Sequence, residues 1–173
     1  MPVTRLFGIA AALGLIAGLP GLAQAEAQRN RLGLVQALKG HSIAYGAFSS
    51  QLAGVNRRFR ATLHGTVQGQ ELTVVEKFRF ADGATDRKTW KFVPTGTGRW
   101  SGTREDVVGS AEVVEDGPVI RLNYVANLQT GFGLLPFSFA DVIYRGPNGS
   151  LVNNATVSSL GVPVGAVALK IVR

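Results

Sequence analysis

The feature that most constrains this chain is a period-two alternation of side chains broken by turn dipeptides, clearest between Val74 and Trp90. Val74, Glu76, Phe78 and Phe80 fall on one face of an extended segment and Lys77 and Arg79 on the other, because successive side chains of a strand point to opposite sides. Asp82-Gly83 follows, and Gly accepts the positive φ that a tight turn requires. A second alternating segment leads to Trp90 and Phe92. A loop of about three residues with a bulged Gly keeps both aromatics on the apolar face, and predicts Trp90 opposite Glu76 and Lys88 opposite Phe78; a two-residue loop would reverse that parity. The resulting face is greasy and carries a single acid.

From His41 onward the same pattern repeats. Strands are predicted near residues 41–49, 56–67, 70–80, 85–93, 98–105, 107–115, 118–128, 136–145, 150–159 and 164–172, with turns at Gly69, Asp82-Gly83, Thr95-Gly96, Asp116-Gly117, Pro147-Asn148-Gly149 and from Gly161 to Pro163. Joins this short leave no room for parallel crossovers, which need a dozen or more residues each. The fold class is therefore all-β, an antiparallel up-and-down meander. Such a meander protects its edges by stacking two sheets or by closing on itself. Continuous inner and outer rows, such as Phe59, Ala61 and Leu63 against Arg58, Arg60, Thr62 and His64, favour closure into a barrel of about 8–10 strands. Glycines at 46, 65, 102, 109, 161 and 165 suit the bends that closure needs. A membrane-spanning barrel fits poorly, because its outward face would be apolar and here one face repeatedly carries Arg and Lys.

Ahead of the strands, residues 1–25 read as a cleaved secretory signal: one charge at Arg5, an apolar run from Leu6 to Leu19, and Ala23-Gln24-Ala25 at the cleavage point. No Cys stands there to accept a lipid, so the reading places the mature protein in the periplasm, free of a lipid anchor. Residues 26–40 form a short helix or linker in which Leu32, Leu34, Val35 and Leu38 share a face and Gly40 ends the helix; residues 41–173 make a single barrel domain. With no Cys anywhere, disulfides and thiolate chemistry are excluded. The chain holds 18 Lys and Arg against 11 Asp and Glu, and only Arg5 lies in the signal, which leaves the mature chain at +6. In an exported protein that charge suits an anionic membrane surface, or simple solubility, better than nucleic acid.

The order of these features resembles a bacterial exported family known as domain of unknown function 3833. The residues that carry the likeness are Gly46, Phe48, Arg58-Phe59, Glu76-Lys77-Phe78, Asp82-Gly83, Arg87-Lys88-Thr89-Trp90, Gly102, the run from Asp106 to Ala111, Tyr124, Asp141, Asn153, Gly161 and Gly165. The resemblance implies a lipocalin-like barrel, a class that often holds apolar ligands, and it supplies no chemistry. Many relatives carry a lipidation Cys that is absent here, and where they tend to show Asp-Asp-Trp-Met this chain reads Ala140-Asp141-Val142-Ile143.

Polar residues on the inner face are the candidates for function. Glu76, Lys88, Asp106, Tyr124, Asp141 and Asn153, with the aromatics Phe78 and Trp90, form the expected ligand-binding set. A carboxylate inside an apolar barrel is costly unless paired, so Glu76 should meet Lys88, Arg87, Tyr124 or Asn153. Three roles compete for this set: an ion pair that fixes register, a polar floor beneath a bound lipid or other apolar molecule, and an acid–base pair of Glu76 and Asp106 acting on such a substrate. Binding is the favoured function. An enzyme and a filled structural barrel are the alternatives, and no cofactor is expected. His41 and His64 have no carboxylate at ligand spacing, which argues against a metal, and no Gly-x-Ser-x-Gly or P-loop occurs. Residues 132–139, apolar and placed after the longest expected loop, suit core packing or a membrane-touching lip.

Overall fold

The computed structural model describes residues 30–51 and 53–173. Its strands are β1 (Gly40–Ser50), β2 (Val55–Gln68), β3 (Glu71–Phe80), β4 (Thr85–Gly96), β5 (Arg99–Thr103), β6 (Ala111–Asp116), β7 (Val119–Thr130), β8 (Gly133–Arg145), β9 (Leu151–Ser159) and β10 (Val162–Val172), directly preceded by a short helix, α1 (Leu34–Leu38). Each strand pairs antiparallel with the next. The meander closes where β1 meets β10, in a register running from Ile43 opposite Val172 to Ser49 opposite Ala166. The barrel read from the alternation is therefore present. Residues 1–25, assigned to the signal, lie outside the described residues.

Inner rows are apolar because every second residue of each strand turns to the axis. Leu72, Val74, Trp90, Phe92, Val113, Ile120, Leu122 and Ile143 are buried there. The up-and-down path sorts the connections between two ends. One end carries the β2–β3, β4–β5, β6–β7 and β8–β9 turns together with α1. The other, the mouth, carries the β1–β2, β3–β4, β7–β8 and β9–β10 hairpins and the β5–β6 loop.

The helical stretch is a plug. Leu32, Leu34, Ala37 and Leu38 bury their side chains, and the backbone N–H of Leu34 and the indole N–H of Trp100 both donate to Glu115 Oε1, at 2.8 and 3.0 Å. At its far end the guanidinium of Arg173 donates to the carbonyl of Gln36 at 2.6 Å, where a cation suits the exposed carbonyls that end a helix. Within the expected 26–40 stretch the described residues are helical at Asn30 and over Leu34–Leu38, interrupted at residues 31–33, and residues 26–29 lie outside the described residues.

Three expectations need correction. Asp82 Oδ1 accepts from the N–H of Ala84 at 2.9 Å and Gly83 adopts φ +85°, so the loop is Ala81-Asp82-Gly83, one position earlier than assumed. Trp90 stays inside, but the pairs move by two residues: Glu76 faces Lys88 and Val74 faces Trp90. The β7–β8 connection is a tight hairpin instead of a long loop. The Thr130 hydroxyl donates to the Gly133 carbonyl at 2.8 Å and accepts from the Phe132 N–H at 3.1 Å, which lets both strands run to Gly131-Phe132. Finally, residues 104–110 lie between β5 and β6 and are held against β7 by Val108 N–H to the Val125 carbonyl and Asn127 N–H to the Asp106 carbonyl, both 2.8 Å.

Candidate functional site in the barrel lumen

All eight residues of the expected set, Glu76, Phe78, Lys88, Trp90, Asp106, Tyr124, Asp141 and Asn153, line one internal cavity of about 270 Å³. The space exists because Ala44, Ala61 and Ala155 stand where larger side chains would fill it. Aromatic rings make much of the wall: Phe59 edge-on to Phe78 at 5.4 Å, Trp90 edge-on to Tyr124 at 5.2 Å, and Tyr124 stacked on Phe139 at 4.9 Å.

The residue that sequence reasoning missed is Arg104. Its guanidinium lies 4.5 Å from the Trp90 ring centre and 5.3 Å from that of Tyr124, and its Nε donates to Asp106 Oδ1 at 2.6 Å. The signal was available, since Arg104 shares the parity of Trp100 and Gly102 on β5. Lys88 Nζ reaches Asp106 at 3.2 Å and Asp86 at 3.3 Å, so one carboxylate serves two cations. Burial alone would raise the Asp106 pKa, but Arg104 and then Lys88 outweigh it and hold the carboxyl below its ordinary value.

Glu76 differs from the expectation. Although Lys88 stands opposite it in register, the lysine extends toward the half-exposed Asp86 and the largely buried Asp106, with about a quarter of its own side chain still open to water. None of Lys88, Arg87, Tyr124 or Asn153 bonds Glu76. Protein encloses its carboxyl, while part of its surface faces the lumen. Burial is the main cause that pushes its pKa to about 7; Arg104 opposes this, and Asp141 and Asp106 add to it.

Asp141 is buried as well. Asn153 Nδ2 donates to its Oδ1 at 2.6 Å, yet burial still pushes the carboxyl to about 6. Asp141 Oδ2 and Asn153 Oδ1 are buried without a hydrogen-bond partner among the described residues. The Tyr124 hydroxyl stands near enough to act on Asp141 but leaves Oδ2 unbonded. Burial, then Asp141, drive the Tyr124 phenol well above its ordinary value, so it is a neutral donor at any physiological pH.

Outside the lumen, Arg60, Lys77, Arg79 and Arg87 line a groove on the outer face of β2–β4, and none has a carboxylate within ion-pair distance among the described residues. His41 and His64 stack on the outer face with ring centres 3.9 Å apart. No group of three His, Cys, Asp or Glu is arranged to hold a metal among the described residues.

Residues 14–173 match a family model described as Protein of unknown function (DUF3833). No curated protein matches the sequence. Among solved structures, the S-type phycobiliprotein lyase CPES from Guillardia theta superposes with a TM-score of 0.57 over 84% of this chain and 94% of its own, at 7% sequence identity, a likeness of fold alone.

Proposed function

The chain belongs to the DUF3833 family, and from that premise we propose that it is an exported carrier whose lumen holds a small apolar molecule. The cavity carries the reading: about 270 Å³ of space with aromatic and aliphatic walls, kept free by three alanines, and a polar cluster on one side to orient what enters. A barrel whose role was purely structural would gain stability by filling that volume. Export to the periplasm without a lipid anchor rests on residues 1–25.

Delivery at an anionic membrane fits the rest of the surface. Phe132 and Leu160, at the tips of two mouth hairpins, are almost fully exposed, and Leu134 and Val162 beside them are largely so. These hairpins are neighbours round the barrel, so the apolar side chains gather on one sector of the rim. Basic groups on the outer wall would add attraction to lipid headgroups.

Native mass spectrometry of protein purified from its own host tests the reading. A co-purifying small molecule is expected, and Ala61→Leu together with Ala155→Leu should eliminate it. Protein that always flies alone, and that takes up no apolar fluorophore, would overturn it. An enzymatic reading draws support from the opposed pKa values of Glu76 and Asp106. Asp106, however, already serves two cations, which makes it a poor base. Turnover that disappears in Glu76→Gln/Asp106→Asn while ligand uptake persists would favour that reading instead.

A further inference from the structure

We propose that the lumen selects an apolar molecule with a hydrogen-bond-donating head, an alcohol or amine, and rejects the corresponding carboxylate. This rests on the carrier reading above and adds the chemistry of the ligand's polar end. Buried polar atoms are almost always hydrogen-bonded, because an unmade bond costs the full desolvation of the group. Asp141 Oδ2 and Asn153 Oδ1 both break that rule, and both residues line the same cavity. Each is an acceptor. Asp141 is only 7% exposed, so bulk water does not relieve it.

The cations nearby cannot reverse this preference. Arg104 is bound to Asp106 and packed against Trp90 and Tyr124, and Lys88 is shared between Asp106 and Asp86. A fatty acid would therefore bring its carboxylate toward Asp141 and Glu76 with no free cation to receive it. A hydroxyl or ammonium would instead complete the bonds that Asp141 and Asn153 lack. In size, about 270 Å³ corresponds to roughly nine heavy atoms at the ~30 Å³ that a water occupies in the liquid, which matches an eight-carbon chain with a one-atom head.

The test is calorimetric titration of the mature protein at pH 7.5 with 1-octanol, octylamine and octanoate, each below its aggregation concentration. Octanol and octylamine are expected to bind at least about tenfold more tightly than octanoate, the size of one hydrogen bond to a charged acceptor. In Asp141→Leu/Asn153→Leu, which removes both acceptors together and whose fold is checked by its melting curve, the three compounds should bind within about twofold of one another. Octanoate binding as tightly as octanol, or a preference that survives in the double variant, overturns the inference and leaves the carrier reading standing. Failure of all three compounds, together with failure of an uncharged apolar fluorophore, overturns both.

Discussion

Glu76 is an enclosed carboxyl with no ion-pair partner among the described residues, and its titration is measurable. A carboxyl whose pKa is raised on folding holds its proton more tightly than in the unfolded chain. Its stabilising effect is complete below the ordinary value of 4.5 and is lost as pH rises to about 7, an interval equivalent to roughly 3 kcal/mol at most, because the surface facing the lumen can be hydrated. Asp141 acts in the same direction between 3.8 and about 6. Asp106, held low by its cations, acts in the opposite direction and only in acid. Comparing the native chain with Glu76→Gln isolates the Glu76 share: the melting temperatures should coincide near pH 4.5, and the variant should be the more stable at pH 8. Equal melting temperatures at both pH values would mean that Glu76 is solvated like a surface acid. At the mouth, Gly83 has φ +85° with nothing near its missing Cβ, so backbone strain alone sets the cost of substitution. Gly83→Val should lose about 1–2 kcal/mol in urea denaturation, and Gly83→Asn clearly less, because Asn tolerates the left-handed region.

Among the elements, α1 is seated where a side chain is missing. Gly65 on β2 lies under the end of the helix, and a Cβ there would meet the Leu38 carbonyl oxygen, with the Leu38 carbonyl carbon at 2.8 Å and Lys39 Cα at 2.9 Å. Backbone cannot swing aside as a side chain can. Gly65→Ala should therefore cost about 2 kcal/mol and speed amide exchange from Leu34 to Lys39, whereas Gly96→Ala, with open space around it, should stay within about 0.5 kcal/mol. The strands themselves were legible in the sequence because alternation reports which face each residue takes, and parity survives an error of two in register. That is why Phe78, Trp90, Tyr124, Asp141 and Asn153 could be placed inside from the text alone. Pairing partners were less legible. The turn at Asp82-Gly83 began one residue early, and a long side chain such as Lys88 chooses among several carboxylates by solvation, which alternation does not encode. Arg104, inside the predicted 98–105 strand and on its inward parity, escaped notice because a long cation is ordinarily assigned to the solvent face, and the Thr130 turn because a hydroxyl did the work expected of a longer loop.

At the scale of the whole molecule the positive charge is unevenly placed. Arg60 pairs directly with Arg79 across β2 and β3, and Lys77 with Arg87 across β3 and β4. Like charges directly opposite one another destabilise a sheet, so this wall costs stability that its own carboxylates do not offset. The melting temperature should therefore rise between 10 and 150 mM salt, as the screening length shrinks from about 30 to about 8 Å. Lys77→Glu would place an acid opposite Arg87, and at low salt it should stabilise the barrel by a few tenths of a kcal/mol to about 1 kcal/mol, an advantage that disappears near 1 M. The same substitution should weaken binding to vesicles rich in anionic lipid, if the repulsion is tolerated because the wall faces a membrane. A melting temperature indifferent to salt would show that the cations do not repel one another appreciably. Stabilisation with vesicle binding intact would separate the basic wall from delivery and leave the apolar sector of the rim, at Phe132 and Leu160, as the contact.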